Sequence, residues 1–225
     1  MTAQEKKEPP ADVLRDPDIR EALFDYLEEK LGKIRIYEEK QIGKSRADVM
    51  VVLPDALAGI EIKSDADAYT RLERQVRDYD VFFDYNMLVV GSHHALHAQE
   101  HVPDWWGILS VEKTEQGLDF YQVRPWQPNP RLNFINKLGF LWRMELAHIQ
   151  ELNGMYKYAD RSKDFVIEKI YASVERPLLA RQISDELFER DYTTAAQKIE
   201  EYRKEHGRSG RSRRKAGARR RRRRK

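Results

Sequence analysis

Two short stretches set charged side chains into runs that are otherwise apolar. In Arg46-Ala47-Asp48-Val49-Met50-Val51-Val52 a single carboxylate enters a strand-like segment, where burial without a compensating partner is costly. In Gly59-Ile60-Glu61-Ile62-Lys63 the two-residue period of a strand puts Glu61 and Lys63 on one face and Ile60 and Ile62 on the other. If the two segments pair through the intervening Pro54-Asp55 turn, Asp48 lies beside Glu61. Two carboxylates at that range repel unless a divalent cation sits between them. Mg²⁺, or Mn²⁺ in its place, suits such a site because it takes oxygen ligands, keeps several waters and bridges to phosphate. Lys63 then sets a positive charge beside the attacking water and the scissile phosphate. That division of labour is phosphodiester hydrolysis.

Further side chains are placed to help. Glu38 and Glu39 close the preceding strand, and alternation with Ile34 and Ile36 favours Glu38 as a third acid for the metal, with Glu39 the other choice. Gln75 lies three residues after Leu72 and four before Tyr79, so it borders the packed face of the next helix, with its amide in reach of the site. An E-x-K tripeptide alone is usually a solvated strand face. Asp48, the upstream acid and the helix bearing Gln75 give this one its specificity.

The elements that must position these groups are legible. Asp16 as N-cap and Pro17 open a helix with Ile19, Leu23, Tyr26 and Leu27 at helical spacing, and Gly32 can close it. Strands follow at about 34–39, 47–53 and 58–63. Helical period returns over 66–83, before the apolar run Met87-Leu88-Val89-Val90. A buried strand reached through a helix implies a crossover and a parallel pair. A short helix near Ala95 and strands at 107–111 and 118–123 complete an α/β part. Beyond Pro125 to Pro130 the pattern is helical: Phe134, Leu138, Leu141, Met144 and Ile149, then Val166, Ile170 and Val174, then Leu179, Ile183 and Leu187, then Ala196, Ile199 and Tyr202.

Asp48 in Arg-Ala-Asp-Val, Glu61-Ile62-Lys63 as an (D/E)-x-K signature, and Gln75 with Tyr79 on the next helix resemble the PD-(D/E)XK nuclease superfamily. More narrowly, Gly59 to Asp65, Arg74-Gln75-Val76 with Tyr79, Leu88 to Gly91 and Val102 to Ile108 resemble the sce-type bacterial nuclease branch, over roughly residues 17–150. The resemblance implies a restriction-endonuclease-like fold, a mixed α/β sheet flanked by helices, with Mg²⁺ and with DNA as the substrate class. Ala47 stands where the superfamily has a proline, and the spacer between Glu38 and Asp48 is tight.

The rest of the chain bounds the setting. It has 225 residues and no cysteine, which excludes disulfides and thiolate chemistry and suits a reducing cytoplasm. No apolar stretch approaches the roughly 20 residues of a membrane helix, and the first residues lack the apolar run of a signal peptide. The formal charge of +3 conceals an asymmetry. Residues 207–225 carry 12 Arg or Lys and no acid, leaving 29 basic and 38 acidic residues in 1–206. The expected organisation is a flexible leader (1–15), a nuclease-like domain (16–124), an all-helical C-terminal region (131–206) and a disordered Arg-rich tail (207–225). Within the tail Arg219, Arg220, Arg221, Arg222, Arg223 and Arg224 are nucleic-acid contacts by charge.

Other features read more simply. His93, His97 and His101 form a helix face rather than a metal site, Glu21 a solvated helix position, and Trp105-Trp106 a core anchor rather than a base-stacking platform. Leu178 to Glu189 and the helix after Thr193 permit a helix-turn-helix, with bundle packing the plainer reading. The alternative to a nuclease is the same fold without turnover, binding nucleic acid or docking a partner. A homodimer, or a protein partner on the helical C-terminal region, is compatible with either.

Overall fold

The structure is a computed structural model that describes residues 14–191; residues 1–13 of the leader, the helix expected after Thr193 and the Arg-rich tail lie outside the described residues, whereas Leu14, at the end of the expected leader, is buried. The chain divides into a unit ending at Phe188 and a second unit from Glu189 to Lys225. The sheet and the helices packed on it belong to the first.

A six-stranded sheet, in the order β1-β2-β3-β4-β5-β6, is built from β1 (Arg35–Ile42), β2 (Ser45–Val52), β3 (Leu57–Lys63), β4 (Tyr85–Gly91), β5 (Gly107–Thr114) and β6 (Gly117–Arg124). The first three strands are antiparallel neighbours, β3-β4 and β4-β5 are parallel, and β5-β6 is antiparallel. The helix α2 (Leu72–Asp80), preceded by a 3₁₀ turn at Tyr69–Arg71, supplies the crossover between β3 and β4, as the buried run after a helical segment requires. The link from β4 to β5 is irregular: a 3₁₀ turn at Ser92–His94 and the one-turn α3 (Ala98–His101) stand where one short helix is expected. His93, His97 and His101 therefore do not share a continuous helix face.

Alternation assigns the strands' side chains to two cores. Val49, Val51, Ala58, Ile60, Ile62 and Val89 face α1 (Asp16–Leu31), which returns Ile19, Leu23 and Leu27. Met50, Val52, Leu57, Leu88 and Val90 face α2 with its Leu72, Val76 and Tyr79. The N-cap of α1 is Arg15, one residue before the expected Asp16, and its N–H donates to Asp18 Oδ2 at 3.1 Å. Gly32 closes the helix at φ 72°, a conformation glycine takes without strain.

Four further helices, α4 (Ile135–Leu138), α5 (Arg143–Leu152), α6 (Lys163–Ser173) and α7 (Arg176–Glu189), add Leu138, Ile149, Val166, Ile170, Leu179, Ile183 and Leu187 to the α2-side core, and the link between α4 and α5 adds Leu141. Met144 is not among them: it is 40% exposed. Polar ties reinforce the packing. Asn136 Nδ2 donates to the Val81 carbonyl (2.9 Å), and the Tyr37 hydroxyl donates to the Leu187 carbonyl (2.6 Å). Among the described residues no helix is long and apolar enough to cross a membrane.

Candidate functional site

Antiparallel pairing of β2 with β3 runs from Val52↔Leu57 to Val49↔Ile60 and stops. Past that point Asp48 replaces a backbone acceptor with its side chain, Oδ2 taking the Ile62 N–H at 2.8 Å. The carboxylate is thereby fixed beside the outer end of β3, where Glu61 and Lys63 share the α2 face. Glu61 is almost wholly buried and Lys63 nearly so.

From α2, Gln75 Nε2 and, from β3, Lys63 Nζ both donate to Glu61 Oε1. The hydroxyl of Tyr79 accepts the Asp48 N–H (3.2 Å) and directs its single proton to Glu61 Oε2 (2.8 Å) or the Ile60 carbonyl (3.0 Å). Tyr79 can lie this close to β3 because of Gly59. A Cβ there would stand 2.2 Å from Phe83 Cδ2 and 2.7 Å from Tyr79 Cδ1.

Burial pushes the Asp48 carboxyl up to about 7. The neighbouring Glu61 adds to the shift, while the Ile62 N–H and Lys63 partly oppose it. The Tyr79 phenol is driven well above its ordinary value by burial first and then by Glu61 and Asp48. An acid that resists ionisation because it is buried, with another acid facing it, is in the electrostatic condition that a bound cation relieves.

Arg20 of α1 organises the other side of Asp48. Its guanidinium grips Asp16 through two nitrogens (2.6 and 2.9 Å), donates to the Asp48 carbonyl (3.2 Å), and meets Glu38 (3.1 Å) and Glu39 (2.8 Å); Asp48 Oδ1 is 3.8 Å away. Asp16 holds this guanidinium above its ordinary pKa. Glu39 has φ 56°, the one non-glycine in the left-handed region among the described residues. This kink lets Glu38 and Glu39 both reach Arg20.

Of the expected site residues, Asp48, Glu61, Lys63 and Gln75 thus converge on one cleft of about 430 Å³, and Glu38 does not line it. Glu38 stands half exposed on the guanidinium that separates it from Asp48. Among the described residues no group of three or more His, Cys, Asp or Glu side chains is placed to hold a metal ion. The donor set is therefore two carboxylates, Asp48 and Glu61. That fits Mg²⁺, which is commonly held by one or two carboxylates together with waters and substrate phosphates.

Sequence reasoning did not assign Arg20 or the buried role of Tyr79. The i,i+4 spacing of Asp16 and Arg20 was the available signal for the first. Nor did it assign the cations Lys44, Arg46, Arg71 and Arg74, which line the same cleft. Arg219 to Arg224 lie outside the described residues. The Trp105-Trp106 pair is an anchor: both indole N–H groups donate to Asp80 Oδ1 (3.2 and 2.8 Å), and Trp106 is fully buried.

Among known proteins, the chain is similar to Protein cII of Enterobacteria phage P4, with 25% identity over 148 residues, covering 64% of this chain and 56% of that protein. The chain thus spans little more than half the length of that relative. Among solved structures, SfsA of Pyrococcus furiosus in complex with Ca²⁺ superposes with a TM-score of 0.32 and 15% identity, over 49% of this chain and 64% of that one, a likeness too slight to bear on fold or site. The family model for bacteriophage P4 protein cII matches residues 9–206. The chain belongs to the bacteriophage P4 protein cII family.

Proposed function

We propose that this protein is a metal-dependent nuclease of the PD-(D/E)XK type, hydrolysing phosphodiester bonds in nucleic acid, DNA first, with Mg²⁺ or Mn²⁺ as cofactor and the cytoplasm as its setting. The observation that carries the reading is the convergence of Asp48, Glu61, Lys63 and Gln75 on one cleft, with Glu61 helping to hold the Asp48 carboxyl near pKa 7. The family name specifies no chemistry, so the reading rests on these side chains.

Asp48 and Glu61 would hold the cation, which supplies Lewis-acid stabilisation of charge developing on the phosphate. Asp48 must give up its proton to ligate, and the bond from the Ile62 N–H keeps its carboxylate aimed while it does so. Lys63 shares Glu61 Oε1 with Gln75. Its remaining N–H groups can orient the attacking water or meet a phosphate oxygen. Gln75 fixes the rotamer of Glu61 from α2, and Tyr79 does so from beneath.

The test is incubation of the purified protein with supercoiled, linear, single-stranded and branched DNA and with RNA, in Mg²⁺, Mn²⁺ or EDTA, beside Glu61→Ala and Lys63→Ala. Metal-dependent cleavage lost in both variants, with the fold retained, is the expected result. Absence of cleavage across the panel rejects the reading.

One observation favours a second reading. Arg20 occupies Glu38 and Glu39, leaving two carboxylates, Asp48 and Glu61, rather than three to hold a metal. A body that binds nucleic acid, or docks a protein partner or second copy through its helical part, without turnover would look the same. It predicts binding without metal-dependent product.

A further inference from the structure

The cleft that holds Asp48 and Glu61 has an unequal charge inventory. Its acids are engaged: Asp16 by Arg20, Asp67 by the N–H and hydroxyl of Ser64 (2.9 and 2.6 Å), Asp48 by Ile62, and Glu61 by Lys63, Gln75 and Tyr79. Two of its cations are engaged as well, Lys63 by Glu61 and Arg46 by Glu39. Lys44, Arg71 and Arg74 are exposed, line the same cleft, and have no carboxylate partner among the described residues.

Local structure fixes where these three charges stand. Lys44 sits at the tip of the β1-β2 hairpin, where Ile42 pairs with Ser45 around the two-residue turn Gly43-Lys44 and Gly43 takes φ 52°. A glycine at the first turn position of a two-residue hairpin allows so tight a reversal. Arg71 ends the 3₁₀ turn leading into α2, and Arg74 follows three residues later, so the two lie on one side of that element. One wall of the cleft is therefore the hairpin tip and the other the start of α2, with the carboxylate pair between them. Among the described residues every lining side chain apart from Ile62 is polar, and none is aromatic. Binders of single strands stack bases on rings, and this cleft offers no such platform.

We propose that Lys44, Arg71 and Arg74 form a phosphate clamp that takes a nucleic-acid backbone across the Asp48-Glu61 cleft by charge alone, without regard to base identity. The clamp rests on the nuclease reading for its choice of ligand, and it locates binding on the body of a chain whose first 206 residues are net acidic. Affinity is then divided between the cleft and any contribution of Arg219 to Arg224.

The test uses the full chain, in EDTA so that nothing is cut, and fluorescence anisotropy of two short labelled duplexes, one all A·T and one all G·C. Combining Lys44→Gln, Arg71→Gln and Arg74→Gln removes three exposed charges that have no carboxylate partner among the described residues, so the melting temperature should not move. Should the combined variant fail to fold, Arg71→Gln alone is the fallback, with a loss of about one unit of salt slope.

The expected result is a tenfold or greater loss of affinity and a slope of log K against log[salt] shallower by about two to three units, with the two duplexes bound alike. Unchanged affinity and slope would overturn the clamp and leave binding to the rest of the chain. A tenfold preference between the duplexes would overturn its indifference to base. Cleavage by the wild type in Mg²⁺ separates the two ideas. If the wild type cuts and the triple variant binds and cuts equally well, the clamp falls and the nuclease stands. If nothing cuts but the triple variant loses binding, the nuclease falls and the clamp stands.

Discussion

At the scale of single residues, the carboxyl of Asp48 carries the sharpest consequence. Its folded pKa, about 7, lies above the ordinary value of 3.8, so the fold prefers the protonated form. The stability associated with that preference is fully present below pH 4 and is lost as the pH rises toward and through 7. Asp48→Asn removes the ionisation while keeping an oxygen for the Ile62 N–H. The variant should therefore match the wild type near pH 4 and exceed it at pH 8, by at most on the order of 4 kcal/mol, as read by melting temperature across that range. A bound cation would favour the ionised carboxylate against that burial and the facing Glu61. Mg²⁺ or Mn²⁺ should raise the wild-type melting temperature more at pH 8 than at pH 6, because protons compete for Asp48, and should leave Asp48→Asn nearly unmoved. Equal metal shifts in the two proteins would remove Asp48 from the metal site. The apolar strand around Asp48 and the alternation of Glu61 with Lys63 made these residues legible in the sequence. Arg20 was not, because nothing local says that a helix residue will reach 28 positions along the chain to the Asp48 carbonyl.

Elements explain why a glycine opens the stretch that carries Glu61 and Lys63. Helix α2 must cross β3 closely enough for Tyr79 to bond Glu61 and the Ile60 carbonyl, and Phe83 lies on the same approach. With a Cβ at position 59 meeting ring carbons at 2.2 to 2.7 Å, either the ring pair or the strand must move. Gly59→Ala should cost roughly 1–3 kcal/mol, the usual penalty of overpacking, seen as a lower urea midpoint. It should also weaken the metal-induced thermal shift, since Tyr79 and Gln75 hold Glu61 from α2. Tyr79→Phe tests the polar part separately. It leaves the partly buried Asp48 N–H without its partner and should cost about 1–2 kcal/mol with the packing of Phe83 intact. The antiparallel neighbours β1-β2-β3 and the parallel crossover to β4 followed from the succession of periods, because a helix between two buried strands has few alternatives; the places of β5 and β6 did not. The kink at Glu39 did not follow. A left-handed glutamate is chosen by its tertiary partners, here Arg20 and Arg46, against its local preference.

For the molecule as a whole, the sequence pattern marks a change at Pro125 to Pro130 from alternating strands to helices, which suggests two regions. The structure joins them through one core. The Phe140 ring stacks on Phe83 at 5.8 Å, Asn136 caps the end of α2 at the Val81 carbonyl, and Tyr37 in β1 bonds the Leu187 carbonyl. Buried Lys137 pairs with Asp84 (2.6 Å), whose other bond fixes the start of β3 through the Leu57 N–H (2.7 Å). Periodicity could not announce this, because an apolar stripe specifies that a helix is covered and not by what. Packing of this kind couples the helices to the site, since α2 lies between them and Glu61. Thermal unfolding should accordingly be a single transition. Tryptophan fluorescence, which includes Trp106 packed against Tyr79 at 5.4 Å, should change together with far-ultraviolet circular dichroism, to which the helices contribute strongly. Lys137→Ala leaves the partly exposed Asp84 without its cation and empties the space of a fully buried side chain, and should lower both probes' midpoints together, by about 2–5 kcal/mol of stability. If the circular dichroism midpoint fell while the tryptophan midpoint stayed, α4 to α7 would unfold independently of the sheet, and the cleft would not depend on them.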